Sequence, residues 1–252
     1  MISNLSLEKL KAKRTKAYGI SFLILLVAMM WITASNLQYM KVLERRDFFI
    51  IIGSFSDLNT LLFPIAIALF CSKISDIEHK GNTLKLLIPS GQNIGSLYYS
   101  KVIYAGLFFT LLALFQSIMI PVISKKYQVP FDMNLYLHHL IGLVIANLSL
   151  IAIQVFLSLK FEKQAISISI GLFGGFVGIM MSRAPEVLRR ILPWGYIGVL
   201  SPVKMISEKV VDGAVASFIP KTGFAIREIN YFLIAIGIML LFSRVLKKKN
   251  RR

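Results

Sequence analysis

Hydrophobic and polar positions along this chain come in long blocks rather than in alternation. Apolar runs occupy 18–38, 56–74, 102–123, 137–159, 165–182 and 229–243, with polar and basic stretches between them. Crossing a bilayer core takes about 17 to 25 mostly apolar residues in a helix. A segment in hydrocarbon must also satisfy its own backbone hydrogen bonds, as a helix does. The pattern therefore predicts an all-α polytopic membrane protein: six transmembrane helices in one domain covering 1–252. The last two runs are short, so tilt or local thinning of the bilayer is expected around them.

Composition agrees with the blocks. Hydrophobic residues make up 56% of the chain and charged residues 16%, where a soluble domain carries roughly a quarter charged. Lys and Arg number 29 against 12 Asp and Glu, a net charge of +17. No nucleic-acid module is visible, so the expected partner of this charge is membrane lipid. The N-terminal segment holds Lys9, Lys11, Lys13, Arg14 and Lys16, and the C-terminal tail Arg244, Lys247, Lys248, Lys249, Arg251 and Arg252. An even number of spans puts both ends on one side, and basic flanks mark that side as cytoplasm. The opening "KAKRTKAYGISFLILLVAMMWITA" also has the shape of a signal peptide. Its long basic lead favours an uncleaved first span. Cys71 has no second cysteine to pair with, which excludes a disulfide framework and a cysteine-based zinc site.

Smaller features refine the picture. Leu5, Leu7 and Leu10 alternate with lysines, as in an amphipathic helix lying in the interface. Asp57 is an acid within an apolar run. It reads either as an intramembrane functional group or, preferably, as part of a helix start with Ser56 at the outer interface. Gly171, Gly174, Gly175 and Gly178 give two overlapping G-x-x-x-G spacings, a flat face for close helix packing. Gln116, Asn147 and Gln154 are either hydrogen-bonded glue or polar points on a path. His138 and His139 are adjacent and so face different sides of a helix; they are expected at the interface, and no metal site is predicted. The segment 183–228 contains "LPWGYIGVLSPVKMI", too apolar for a plain loop. Short helices dipping into the outer leaflet are expected there, with Pro193 breaking the chain and Trp194 and Tyr196 at the headgroups.

The segment 76–101, "DIEHKGNTLKLLIPSGQNIGSLYYSK", joins the second and third runs. A linker can be far shorter. This one is patterned: Ile77, Leu84, Leu87 and Ile88 give an apolar edge, with Glu78, His79, Lys80 and Lys85 exposed, and Pro89 and Gly91 end it. A cytoplasmic docking surface is the expectation. No G-x-x-x-x-G-K-[ST] phosphate loop, H-E-x-x-H or G-x-S-x-G occurs, so catalysis by this chain is not expected.

The order Glu78, Gly81-Asn82-Thr83, Leu84-Lys85-Leu86-Leu87, Pro89, Lys101 resembles the permeases of type-2 ABC exporters. The resemblance runs along the whole chain, with the basic start resembling their elbow helix and 183–228 their re-entrant helices. Where many members have Ser-Arg after the Pro, this chain has Ser90-Gly91-Gln92-Asn93. It implies that Glu78, His79, Lys80, Thr83, Leu84 and Leu87 form a coupling helix contacting a separate ATPase, which holds the ATP and Mg; this chain itself would bind no cofactor. "SFSDLNTLLFPIAIAL", "IEHKGNTLKLL" and Pro193-Trp194 further resemble lantibiotic-immunity permeases. Those pair with a second permease and two ATPase copies and expel a pore-forming peptide. Rival expectations are export of a drug, lipid or polysaccharide, a homodimer in place of two different permeases, and a membrane scaffold or sensor without transport.

Overall fold

A computed structural model describes residues 8–13, 15–42, 46–81, 94–181, 184, 186–210 and 213–249. The chain begins with a short helix α1 (8–13), turned into the first span by Lys16 in the left-handed region, φ 57°. The spans are α2 (Ala17–Leu37), α3 (Phe48–Lys80), α4 with α5 (Ile94–Ser117, Met119–Lys126), α6 (Met133–Lys160), α7 (Gln164–Met181) and α10 (Phe224–Lys249). Six helices are thus long and apolar enough to cross a membrane. They coincide with the six runs, although several begin earlier than the apolar pattern does.

The second span shows why. Asp47 caps α3, its side chain accepting from the Phe49 amide at 3.0 Å, so the helix starts before Ser56 and Asp57. Those two residues lie inside α3, and the expected cap at Ser56 or Asp57 is corrected. "FFIIIGSF" carries no helix-breaking residue except Gly53, and its isoleucines are buried, which lets the helix grow back to the cap. The third span breaks at Ile118 because Pro121, in the first turn of α5, offers no amide to the Ser117 carbonyl.

Helices α3 and α6 form the centre. About seven-tenths of their apolar windows is buried, 72% and 67%, against 22% for α10 at the periphery. Helix α3 packs against α2, α6 and α7, and α10 against α6 and α4. Phe156 stacks on Phe242 across the α6–α10 seam, centroids 4.1 Å apart.

Between α7 and α10 the chain forms short helices α8 (Glu186–Ile191) and α9 (Tyr196–Leu200), joined by a 3-10 turn at Pro193–Gly195. Helix α9 and the turn pack on α3, α6 and α7, and α8 packs on α9 and the turn. An antiparallel hairpin follows, β1 (Val203–Val210) with β2 (Gly213–Pro220), in register Val203↔Pro220 to Val210↔Gly213. The mostly helical expectation holds, with this hairpin as a departure from all-α. Its strands carry β-branched residues, Val203, Ile206 and Val210 in β1 and Val215 and Ile219 in β2, which favour extended backbone. The Phe218 ring lies against Gly53 where any Cβ would collide, so the hairpin is seated on α3.

Candidate functional site

At the end of the bundle nearest both termini, three elements meet through charge. Lys101, about two turns beyond the start of α4, is fully buried. Its ammonium donates to Glu8 Oε2 at 2.9 Å and to the Ile74 carbonyl at 2.8 Å, and stands 3.2 Å from Glu78 Oε1. Lys11 donates to the same Glu78 oxygen at 2.6 Å and lies 3.6 Å from Glu8 Oε1. Two carboxylates and two ammoniums thus form one neutral cluster, held by α1, the last turns of α3 and the first turns of α4. Both carboxylates are about 1% exposed. Such burial costs several kcal/mol per ion before the Coulomb gain, so every partner has to stay in place. Burial pulls the Lys11 ammonium down, but its hydrogen bond to Glu78 and the charges of Glu8 and Glu78 outweigh that. Its pKa stands above the ordinary 10.5.

This corrects the expectation that Glu78 is exposed. The helix from the second span continues to Lys80 without a break, and that register turns Glu78 inward to Lys101 and Lys11. His79, half-buried, donates from Nε2 to the Ser158 carbonyl at 2.8 Å and ties α3 to α6. Lys80 is exposed and pairs with Asp76 at 2.7 Å, a surface contact of small energetic weight. Thr83, Leu84, Lys85, Leu87, Ile88 and Pro89 fall outside the described residues, as do Leu5 and Leu7. Leu10 is exposed and Glu8 and Ala12 are buried.

The glycine face of α7 lies on α3. A Cβ on Gly171 would collide with that of Ala68, one on Gly175 would lie 2.6 Å from the Leu61 carbonyl, and one on Gly178 would lie 2.8 Å from the Trp194 carbonyl. Gly174 accommodates the Trp194 indole. Pro193 starts the 3-10 turn that presents Trp194 there, so this tryptophan is packed against a helix as well as placed near one end of the bundle.

The buried polar residues are largely glue. Gln154 donates to the Ser167 carbonyl at 2.6 Å and its hydroxyl at 2.7 Å, joining α6 to α7. Gln116 donates to Asn59 at 2.8 Å. Asn147 is buried with neither amide atom hydrogen-bonded among the described residues. His139, near the start of α6, is buried against α3, 3.2 Å from Ser56 Oγ, which in turn accepts from Ser201 at 2.8 Å. His138 meets Glu228 at 2.8 Å. No cluster of three metal-ligating side chains occurs among the described residues.

Sequence reasoning missed Glu8 and Lys11 as partners of Glu78. The available signal was charge of opposite sign on two segments that the topology brings to one membrane face.

These features define a multi-pass helical membrane protein with a basic N-terminal helix locked onto the two helix ends that flank residues 82–93. The chain belongs to the ABC-2 family transporter proteins, whose family model matches residues 4–178. It is therefore a transport permease of the type-2 ABC class, a transmembrane component that works with an ABC ATPase. A comparison with curated proteins finds no match.

Proposed function

We propose that this chain is the non-catalytic permease half of an ATP-driven exporter that removes an amphipathic, lantibiotic-type antimicrobial peptide from the membrane and so protects the producing cell. Both termini lie in the cytoplasm in this reading. ATP and Mg sit on two copies of a partner ATPase, and a second permease, different or identical, completes the pair. The short helices α8 and α9 enter the outer leaflet. Support for ATP-driven transport comes from family membership. Support for peptide as cargo comes from the sequence resemblance at 76–101 and Pro193-Trp194.

The observation that carries the coupling is the neutral cluster Glu8–Lys11–Glu78–Lys101. It fastens the two helices flanking residues 82–93 to each other. A push on that connection is then delivered to α3 and α4 together, and through the α3–α7 glycine contact to the fifth span. ATP drives the change only insofar as it favours one arrangement over the other. The ATPase contact falls to Lys80, Thr83, Leu84 and Leu87, with Glu78 acting from inside.

The test is copurification of the tagged chain with a coexpressed ABC ATPase, for wild type and for Leu84→Asp with Leu87→Asp, beside a peptide-release assay on cells exposed to a lantibiotic. The reading expects ATPase retention and peptide release in wild type and loss of both in the double variant. Retention of the ATPase without any peptide release would overturn the peptide and leave drug, lipid or polysaccharide export. Failure of any ATPase to copurify would overturn the permease role and favour a scaffold.

A further inference from the structure

At the end of the bundle away from the termini, a cleft of about 460 Å³ opens between α8, α9, the base of the hairpin and the start of α10. Four cationic side chains line it, Arg189, Lys204, Lys221 and Arg227, and no acid does so among the described residues. Their states differ. Lys221 is committed, donating to the carbonyls of Gly198, Val199 and Ser201 at 2.8, 3.2 and 3.0 Å, so it secures α9 and adds charge. Arg227 donates to the Thr222 carbonyl at 2.8 Å and stacks on Phe224 at the exposed mouth. Lys204 is exposed. Arg189 is 6% exposed, and its Nε has no hydrogen-bond partner among the described residues. Arg189 thus brings to the cleft a guanidinium whose charge is not matched by an acid lining it among the described residues, which favours an anion there. Asp57, together with Arg189 and Lys204, borders a smaller neighbouring cavity and has an interaction of its own.

The shape says which anion. Ile226 lies in the cleft and is 70% exposed. From it an exposed apolar line continues along α10 through Ile229, Leu233, Ile236 and Leu240, at intervals of three and four residues that keep to one helix face. Charge at the top and a greasy track below match a molecule with a phosphate head and an acyl tail. Arginine and lysine together suit phosphate, the guanidinium by its paired donors and the ammonium as a point charge.

We propose that this cleft binds the phosphate headgroup of an anionic phospholipid, with one acyl chain lying along the α10 line. Arg189 and Lys204 hold the phosphate; Lys221 and Arg227 supply the positive field. The site is separate from the charge cluster at the other end and does not depend on which cargo is exported.

The experiment uses the full chain in nanodiscs and in detergent. Native mass spectrometry and thermal unfolding are read with phosphatidylglycerol, with phosphatidylcholine, with diacylglycerol of the same tails, and with inorganic phosphate alone. Phosphatidylglycerol is expected to be retained and to stabilise, well ahead of the neutral lipids. Lys204→Gln, at an exposed position that the fold does not need, weakens retention about fivefold; Arg189→Gln weakens it by about tenfold or more. Ile226→Ser weakens the lipid but leaves inorganic phosphate binding unchanged. Equal retention of phosphatidylglycerol and diacylglycerol, or a Lys204→Gln protein that binds like wild type, overturns the site. Inorganic phosphate matching the lipid in stabilisation, with Ile226→Ser silent, overturns the lipid as its source.

Discussion

Replacing Lys101 by Met separates the electrostatic role of the buried cluster from its packing. The ammonium is fully buried and stands within 3.2 Å of both carboxylates, while also satisfying the Ile74 carbonyl. Met fills much of the space but leaves Glu8 and Glu78 facing Lys11 alone, one net negative charge out of water. Breaking a buried pair from one side costs about 3–5 kcal/mol, which for a chain of this size lowers the unfolding midpoint by on the order of 10 °C. Because α1 is anchored by Glu8, exchange of its amides should rise together with the loss. Adding Glu8→Gln returns the cluster to neutrality, since Glu78 then faces Lys11 at its existing 2.6 Å. The double variant should therefore recover about 1–3 kcal/mol relative to the sum of the two single changes. Thermal unfolding of the purified chain, with hydrogen exchange on 8–13, reads both effects. A single variant that costs less than about 1 kcal/mol, or a double variant that is simply additive, would refute the reasoning.

Other outcomes follow from other contacts. Gly175→Ala sets a methyl 2.6 Å from the Leu61 carbonyl and should destabilise by about 1–3 kcal/mol in thermal unfolding, because backbone has to move. Gln154→Leu removes two hydrogen bonds to Ser167 between α6 and α7; the expected loss is about 1 kcal/mol, and an unchanged midpoint would mean that the serines find new partners. Lys11 has a raised folded pKa, so its contribution is complete below the unfolded value of 10.5 and declines as pH climbs through the folded one. Unfolding of wild type should thus lose ground to Lys11→Met between neutral pH and pH values above 10.5, and a constant difference across that window would contradict the pairing.

The spans were legible because hydrocarbon imposes one requirement at every position: an apolar side chain on a helix. The helix ends were not, since they depend on caps and neighbours. Asp47 starts α3 well before its hydrophobic run, and Lys101 extends α4 into a region that reads as polar because a buried lysine looks like a surface lysine until Glu8 and Glu78 are beside it. The hairpin carried a local sign in β-branched Val203, Ile206, Val210, Val215 and Ile219, overshadowed by the helical character of everything around it. The glycine spacing of α7 was visible in sequence, whereas its partners Ala68, Leu61 and Trp194 required the fold.

Helix α3 has 33 residues, which makes it a strut of about 50 Å, longer than the hydrocarbon it crosses. Phe218 is wedged against it at one end and the ionic knot grips it at the other. Pro64 is the proline within it. A tug on either extremity is therefore transmitted along the strut, and midway, at Pro64, is where it can flex. The two faces of the membrane stay in mechanical conversation through a single stretch of backbone.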